Sequence, residues 1–182
     1  MINYTLKEYV NKQLKFHLLS LVVGEPEYNG KTMVIKDMTF EDVKHVMKAM
    51  KKPSTWDNIK GIFGRCFGVT DDLDKWYWSG TIKEFYSARN YIITEFTRLI
   101  KQEQQLLSSI ESVDTMLWKQ AGGERLNRFG GVLPLNQLGK MYNIFPFELQ
   151  KKKYMEILIL LTLEKEKGEI EAKYNKLKQS VK

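Results

Sequence analysis

The chain has 182 residues, 43% hydrophobic and 12% aromatic, which is enough apolar mass for a packed core and excludes wholesale disorder. Cys66 is its one cysteine, so no intrachain disulfide can form, and a reducing cytoplasm or a particle assembled there is the expected setting. The formal net charge is +7, but the cations are scattered and nearly all lysine, with only Arg65, Arg89, Arg98, Arg125 and Arg128 able to grip a phosphate or base in bidentate fashion. A basic helical nucleic-acid-binding protein is therefore the competing reading, with any such binding expected to be weak, non-specific and steeply salt-dependent.

At the N-terminus, Lys7, Glu8, Lys12, Lys15 and His17 interrupt the apolar run, unlike a signal peptide. The strongest apolar run, MEILILLTL, is far shorter than the roughly 20 residues of a membrane span. A soluble, intracellular chain without a membrane partner is expected. Thr5 and Glu8 form a capping-box pair, followed at helical spacing by Leu6, Val10, Leu14, His17, Leu18 and Leu21. Gly24, Pro26, Asn29 and Gly30 then predict a loop, and KTMVIKDM a short extended segment that needs a partner. Thr39 with Asp42 opens a helix that puts Phe40, Val43, Val46, Met47 and Met50 on one face. Ser54 with Asp57 opens another, with Trp56, Ile59, Ile62 and Phe63 inward.

A turn around Gly68, Asp71 and Asp72 leads to KWYWSG. From Thr81 and Glu84 a long helical pattern follows, with a stripe of Ile82, Phe85, Arg89, Ile92, Ile93, Phe96, Leu99, Ile100, Leu106, Leu107 and Ile110. No Pro or Gly occurs from Thr81 to Gln120, so this is one helix or two broken near SSIESVD. The segment GGERLNRFGG is a link, LPLNQLGKMYNIF a short helix, and Pro146 stands at the first turn of the last one. That helix, from Phe147 to Lys178, has Leu149, Tyr154, Ile157, Leu158, Leu160, Leu161 and Leu163 over more than one face, the pattern of a helix inserted into a core. Beyond it Leu163, Lys167, Ile170, Tyr174, Leu177 and Val181 follow in alternating steps of four and three, the seam of a two-helix contact. Glu–Lys pairs such as Glu169 and Lys173 would support the same stretch as a solvated helix. The architecture expected is an all-α bundle, a single domain over 1–182, with 164–182 a charged C-terminal helical arm.

Catalytic chemistry has little foothold. Cys66 lies between phenylalanines in FGRCFG and reads as packing, with Arg65 adjacent and His45 at most a distant base. His17 and His45 lack a second ligand at helical spacing, so no metal site is expected. Asp71, Asp72 and Asp74 read as a helix N-terminus and lack the glycine and alternation of a calcium loop. No phosphate-binding glycine motif occurs, so no cofactor is expected. The contact candidates are Trp76, Tyr77 and Trp78, with Ile170, Tyr174 and Leu177. Three adjacent rings lie about 100° apart on a helix and cannot all face one core, so at least one is exposed or meets a partner unless a turn folds them back. The run of Lys151, Lys152 and Lys153 reads as a solvated face.

In MLWKQAGGERLNRFGGVLPLNQLGKMYNIFPFELQKKKYMEILILLTLEKEKGEIEAKY the chain resembles small helical assembly proteins from the tail and neck of tailed bacteriophages. The positions that carry the likeness are Trp118, Gly122, Leu126, Phe129, Gly130, Leu138, Pro146, Glu148, Tyr154 and Glu164. With TFEDVKHVMKAM and WDNIKGIFG, which are similar to the same proteins, it extends over roughly two thirds of the chain. It rests on pattern and spacing. The resemblance implies a non-enzymatic structural or assembly role, with other phage structural proteins as partners. It implies either a homo-oligomeric ring or connector subunit in the neck or tail of the virion, as in crAss-like and related phages, or a tail assembly chaperone absent from the finished particle. Either would be assembled in the host cytoplasm.

Overall fold

Two reciprocal capping boxes start helices where the sequence predicts them. The backbone N–H and hydroxyl of Thr81 both donate to Glu84 Oε2 at 2.8 Å, and Glu84 N–H donates back to Thr81 Oγ1. Thr5 and Glu8 repeat the arrangement at 2.9 Å. The computed structural model describes residues 4–11, 23–33, 35–108, 117 and 119–180, with every side chain among them but that of Asn127. These hold eight α-helices: α1 (Leu6–Asn11), α2 (Phe40–Ala49), α3 (Trp56–Phe67), α4 (Leu73–Ser79), α5 (Ile82–Leu107), α6 (Val132–Tyr142), α7 (Pro146–Gln150) and α8 (Tyr154–Ser180). The all-α class and the long C-terminal helix are as expected. Leu14, His17, Leu18, Leu21, Ile110, Trp118 and Val181 lie outside the described residues. The chain divides into two compact units, one of Met1–Met38 with Asp42–Lys101, the other of Thr39–Glu41 with Gln102–Lys182.

The first unit is built on aromatic packing. Tyr28, Phe63, Tyr77 and Phe85 are buried with ring centroids 5.0–6.3 Å apart where they meet, mostly edge to face. Tyr28 arrives on a small hairpin. β1 (Glu27–Tyr28) pairs with β2 (Lys31–Thr32), and Asn29 and Gly30 between them have φ of 45° and 73°. Such a two-residue turn needs positive φ at both positions, which Asn-Gly allows. The partner that KTMVIKDM needs is thus the segment just before it, and only its first two residues are strand. The rest of that segment includes a short 3-10 turn, Ile35–Asp37.

Other local expectations shift. The cap of α3 is Thr55, whose Oγ1 accepts from Asn58 N–H, and not Ser54 with Asp57. Trp56 is only partly inward: it packs on Trp78 and Phe85 and remains 38% exposed. The KWYWSG stretch forms the last part of α4 and leads directly into the long helix. That long helix ends at Leu107, at the start of SSIESVD.

In the second unit Leu135, Leu138, Leu149, Tyr154, Ile157 and Leu158 are buried. The Tyr154 ring stacks on Phe40 at 6.0 Å, and its hydroxyl donates to Glu103 at 2.9 Å. The single helix expected from Phe147 to Lys178 is broken. Residues 151–153 leave the helix because their backbone is engaged elsewhere: Lys153 bridges Thr39, and Phe40 N–H donates to Lys152 O at 2.9 Å. Beyond the break runs α8, 27 residues, about 40 Å long at 1.5 Å per residue. Its apolar half is not inserted into a core on every side. Tyr154, Ile157 and Leu158 are buried, while Ile159 and Leu163 are 63% and 53% exposed. No helix among the described residues is long and apolar enough to cross a membrane.

Candidate protein-contact surface

Residues 166–180, the outer half of α8, are all exposed. Ile170, Tyr174 and Leu177 are 66%, 63% and 57% exposed, unusual for three large apolar side chains on one stripe of a helix. The steps of four and three between them keep them on one narrow face. Glu169, Glu171, Lys173 and Lys176 stand around it, all exposed. The root of this stretch is fixed within its own unit. Lys165 Nζ donates to the carbonyl of Leu106 at 3.0 Å and lies 3.5 Å from Glu169, and the Tyr142 hydroxyl donates to Glu164 at 2.9 Å. The Glu164 carboxylate, by holding that proton, raises the Tyr142 pKa above its ordinary value.

The three rings of α4 part company. Tyr77 is fully buried among Tyr28, Phe63 and Phe85, so it is core and has no face to offer a partner. Trp76 is half-buried, its indole N–H donating to Asn29 O at 3.2 Å while Asn29 donates to the Trp76 carbonyl at 2.8 Å. Trp78 is half-buried, packed on Trp56 and on Tyr77. The rings fold back onto their own unit, and only the outer edges of the two tryptophans reach solvent. Trp76, Tyr77 and Trp78 belong to the first unit, and Ile170, Tyr174 and Leu177 to the second.

A second apolar surface escaped the sequence reading. Phe129, Phe145 and Phe147 are 49%, 62% and 54% exposed around a hollow of about 390 Å³, also lined by Leu126, Val132 and Leu133. The signal was local: in NIFPFE, Pro146 starts α7 between two phenylalanines, and a phenylalanine that precedes the first turn has no helical face to bury. Arg128 lies over the Phe129 ring at 4.8 Å and covers part of it.

The groups that could carry chemistry are engaged otherwise. Cys66 is buried, and desolvation, with a smaller contribution from Asp42, pushes its thiol up to about 12, the opposite of an activated nucleophile. His45 is exposed on α2, and His17 lies outside the described residues. Asp74 pairs with Lys60 at 2.6 Å, and Asp72 is the N-cap residue of α4. Among the described residues no group of His, Cys, Asp and Glu is placed to hold a metal ion. The chain matches no protein-family model, no curated protein and no solved structure.

Proposed function

We infer that this chain is a non-catalytic assembly protein that works by helix-to-helix contact, with the outer half of α8 as its contact arm. The observation that carries the reading is the exposed stripe of Ile170, Tyr174 and Leu177 on a helix whose root is held and whose outer half is bare. Water-exposed apolar side chains at seam spacing favour burial against another helix, each contributing up to about 1.5–3 kcal/mol when fully covered. The resemblance to phage neck and tail proteins supplies the setting: a ring or connector subunit in a tailed-phage particle, bound to other structural proteins, with no cofactor.

The test is the double substitution Ile170→Asp with Leu177→Asp. It should leave the thermal unfolding of the isolated chain within about 0.5 kcal/mol, because both positions are exposed surface. It should abolish assembly with the partner, because an unpaired carboxylate buried in an apolar seam is costly. Assembly that survives the substitution overturns the reading. Mass spectrometry of purified particles tests the setting: a stoichiometric band supports a ring subunit, and absence from the particle supports the chaperone.

A further inference from the structure

Ile170, Tyr174 and Leu177 fix the register of the arm as a heptad in which Tyr174 is an a position and Ile170 and Leu177 are d positions. The flanking e positions are then Glu164, Glu171 and Lys178, and the flanking g positions Glu166, Lys173 and Ser180. This distribution is uneven along the helix. Residues 164–171 hold every carboxylate of the arm, whereas Lys173, Lys176 and Lys178 follow with no acid among them up to Ser180. All these residues except Glu164 and Lys165 are fully on the exposed part of α8.

Charge of this kind discriminates between orientations. In a parallel pair of such helices, g faces the partner's next e, which sets Glu166 against Glu171 of the partner subunit and Lys173 against Lys178 of the partner subunit. Both flanks are then repulsive. In an antiparallel pair, e faces e and g faces g. Placing Tyr174 over the partner's Leu177, and Leu177 over the partner's Tyr174, brings Glu171 beside the partner's Lys178 and, by the two-fold axis, Lys178 beside the partner's Glu171. On the other flank Lys173 meets only the partner's Ser180. The seam in this register is apolar at its centre, with Ile170 in the next layer out, and the one lysine of the seam, Lys167, falls outside it.

We propose that the occupant of the arm is a second copy of this chain, its α8 lying antiparallel on the first. The surface is self-complementary, as an isologous two-fold contact requires. The proposal rests on the reading of α8 as a contact arm and names its partner. A two-fold contact closes at two copies, so a ring built from this chain joins its neighbours through other surfaces and uses the arms to tie subunits in twos. The apolar layers supply the affinity. The charge pairs, being exposed and screened, mainly select the orientation.

Sedimentation equilibrium of the full chain at low salt, over a wide concentration range, tests this with Glu171→Lys, Lys178→Glu and the two combined. The wild type forms a reversible dimer. Each single swap puts like charges at both ends of the contact and raises the dimer dissociation constant roughly tenfold, and the double swap restores it. Circular dichroism on the same samples checks that these exposed substitutions leave the fold unchanged. A parallel dimer gives the opposite sign for the single swaps and overturns the proposal, as does a double swap no tighter than the singles. A wild type that stays monomeric also overturns it. In that case a partner protein whose binding is lost in Ile170→Asp with Leu177→Asp leaves the contact-arm reading standing, while binding unaffected by that variant removes both.

Discussion

The Tyr28 hydroxyl donates to the backbone carbonyl of Tyr77, while the hydroxyl of Tyr77, equally buried, has no hydrogen-bond partner among the described residues. The Tyr77 carbonyl belongs to the last turn of α4, where four carbonyls lack intrahelical donors. The N–H four residues on, that of Thr81, is already given to Glu84. Tyr28 therefore satisfies a buried acceptor that nothing local serves. Tyr28→Phe should cost about 1–2 kcal/mol in chemical denaturation, since it strands that carbonyl. Tyr77→Phe removes an unsatisfied hydroxyl and should be neutral or stabilising by up to about 1 kcal/mol. Equal losses from the two substitutions would contradict this assignment.

These two tyrosines also mark what the sequence could and could not convey. The capping boxes at Thr5 and Thr81 were legible because donor, acceptor and cap lie within one turn. The class of fold followed from long helical stripes, and Val43, Val46, Phe85, Ile92, Phe96 and Leu99 are buried as their spacing predicts. Which of Trp76, Tyr77 and Trp78 would enter the core was not legible, because adjacent helical positions are equivalent until Tyr28 arrives from the hairpin. The break at 151–153 was invisible for a similar reason: its cause is Thr39 and Phe40, more than a hundred residues earlier. The Asn29–Gly30 hairpin was local and could have been read from that pair alone. That Ile170, Tyr174 and Leu177 share one face of α8 was legible from their steps of four and three, and the structure leaves all three exposed on it.

Cys66 should be inert in the folded chain and should sharpen alkaline unfolding. Burial raises its thiol from an ordinary 9.0 to about 12, and burial likewise raises Tyr28, Tyr77 and Tyr154. For each group the folded state holds its proton to higher pH than the unfolded state. Stability is therefore fully present below about pH 9 and falls as pH rises from there towards 12 and beyond. A thiol reagent at pH 8 should modify Cys66 only at the rate of unfolding, and denaturant midpoints should decline from pH 9 upward. Rapid labelling of the native chain would show that the thiol is accessible.

Two glycines in the second unit should respond in opposite directions to alanine. Gly139 lies on α6 where an added Cβ would come within 2.5 Å of the Ile144 carbonyl and 3.3 Å of Pro146, and Ile144 N–H donates to Gly139 O at 3.0 Å. The turn from α6 into α7 passes so close that backbone must shift, and Gly139→Ala should lower the global unfolding free energy by about 1–3 kcal/mol. Gly168 sits in α8 with nothing within 4 Å of an added Cβ. The residues beyond it, up to Ser180, are all exposed, so that stretch rests largely on local propensity, and a stretch this short is marginal alone. Gly168→Ala should stabilise that stretch by about 0.4–1 kcal/mol through the lost freedom of the unfolded chain. Because the arm frays separately from the packed helices, the gain should appear as slower amide exchange between 166 and 180, with the global midpoint unchanged. Exchange that stays as fast as in the wild type would show that Gly168 does not limit the helix.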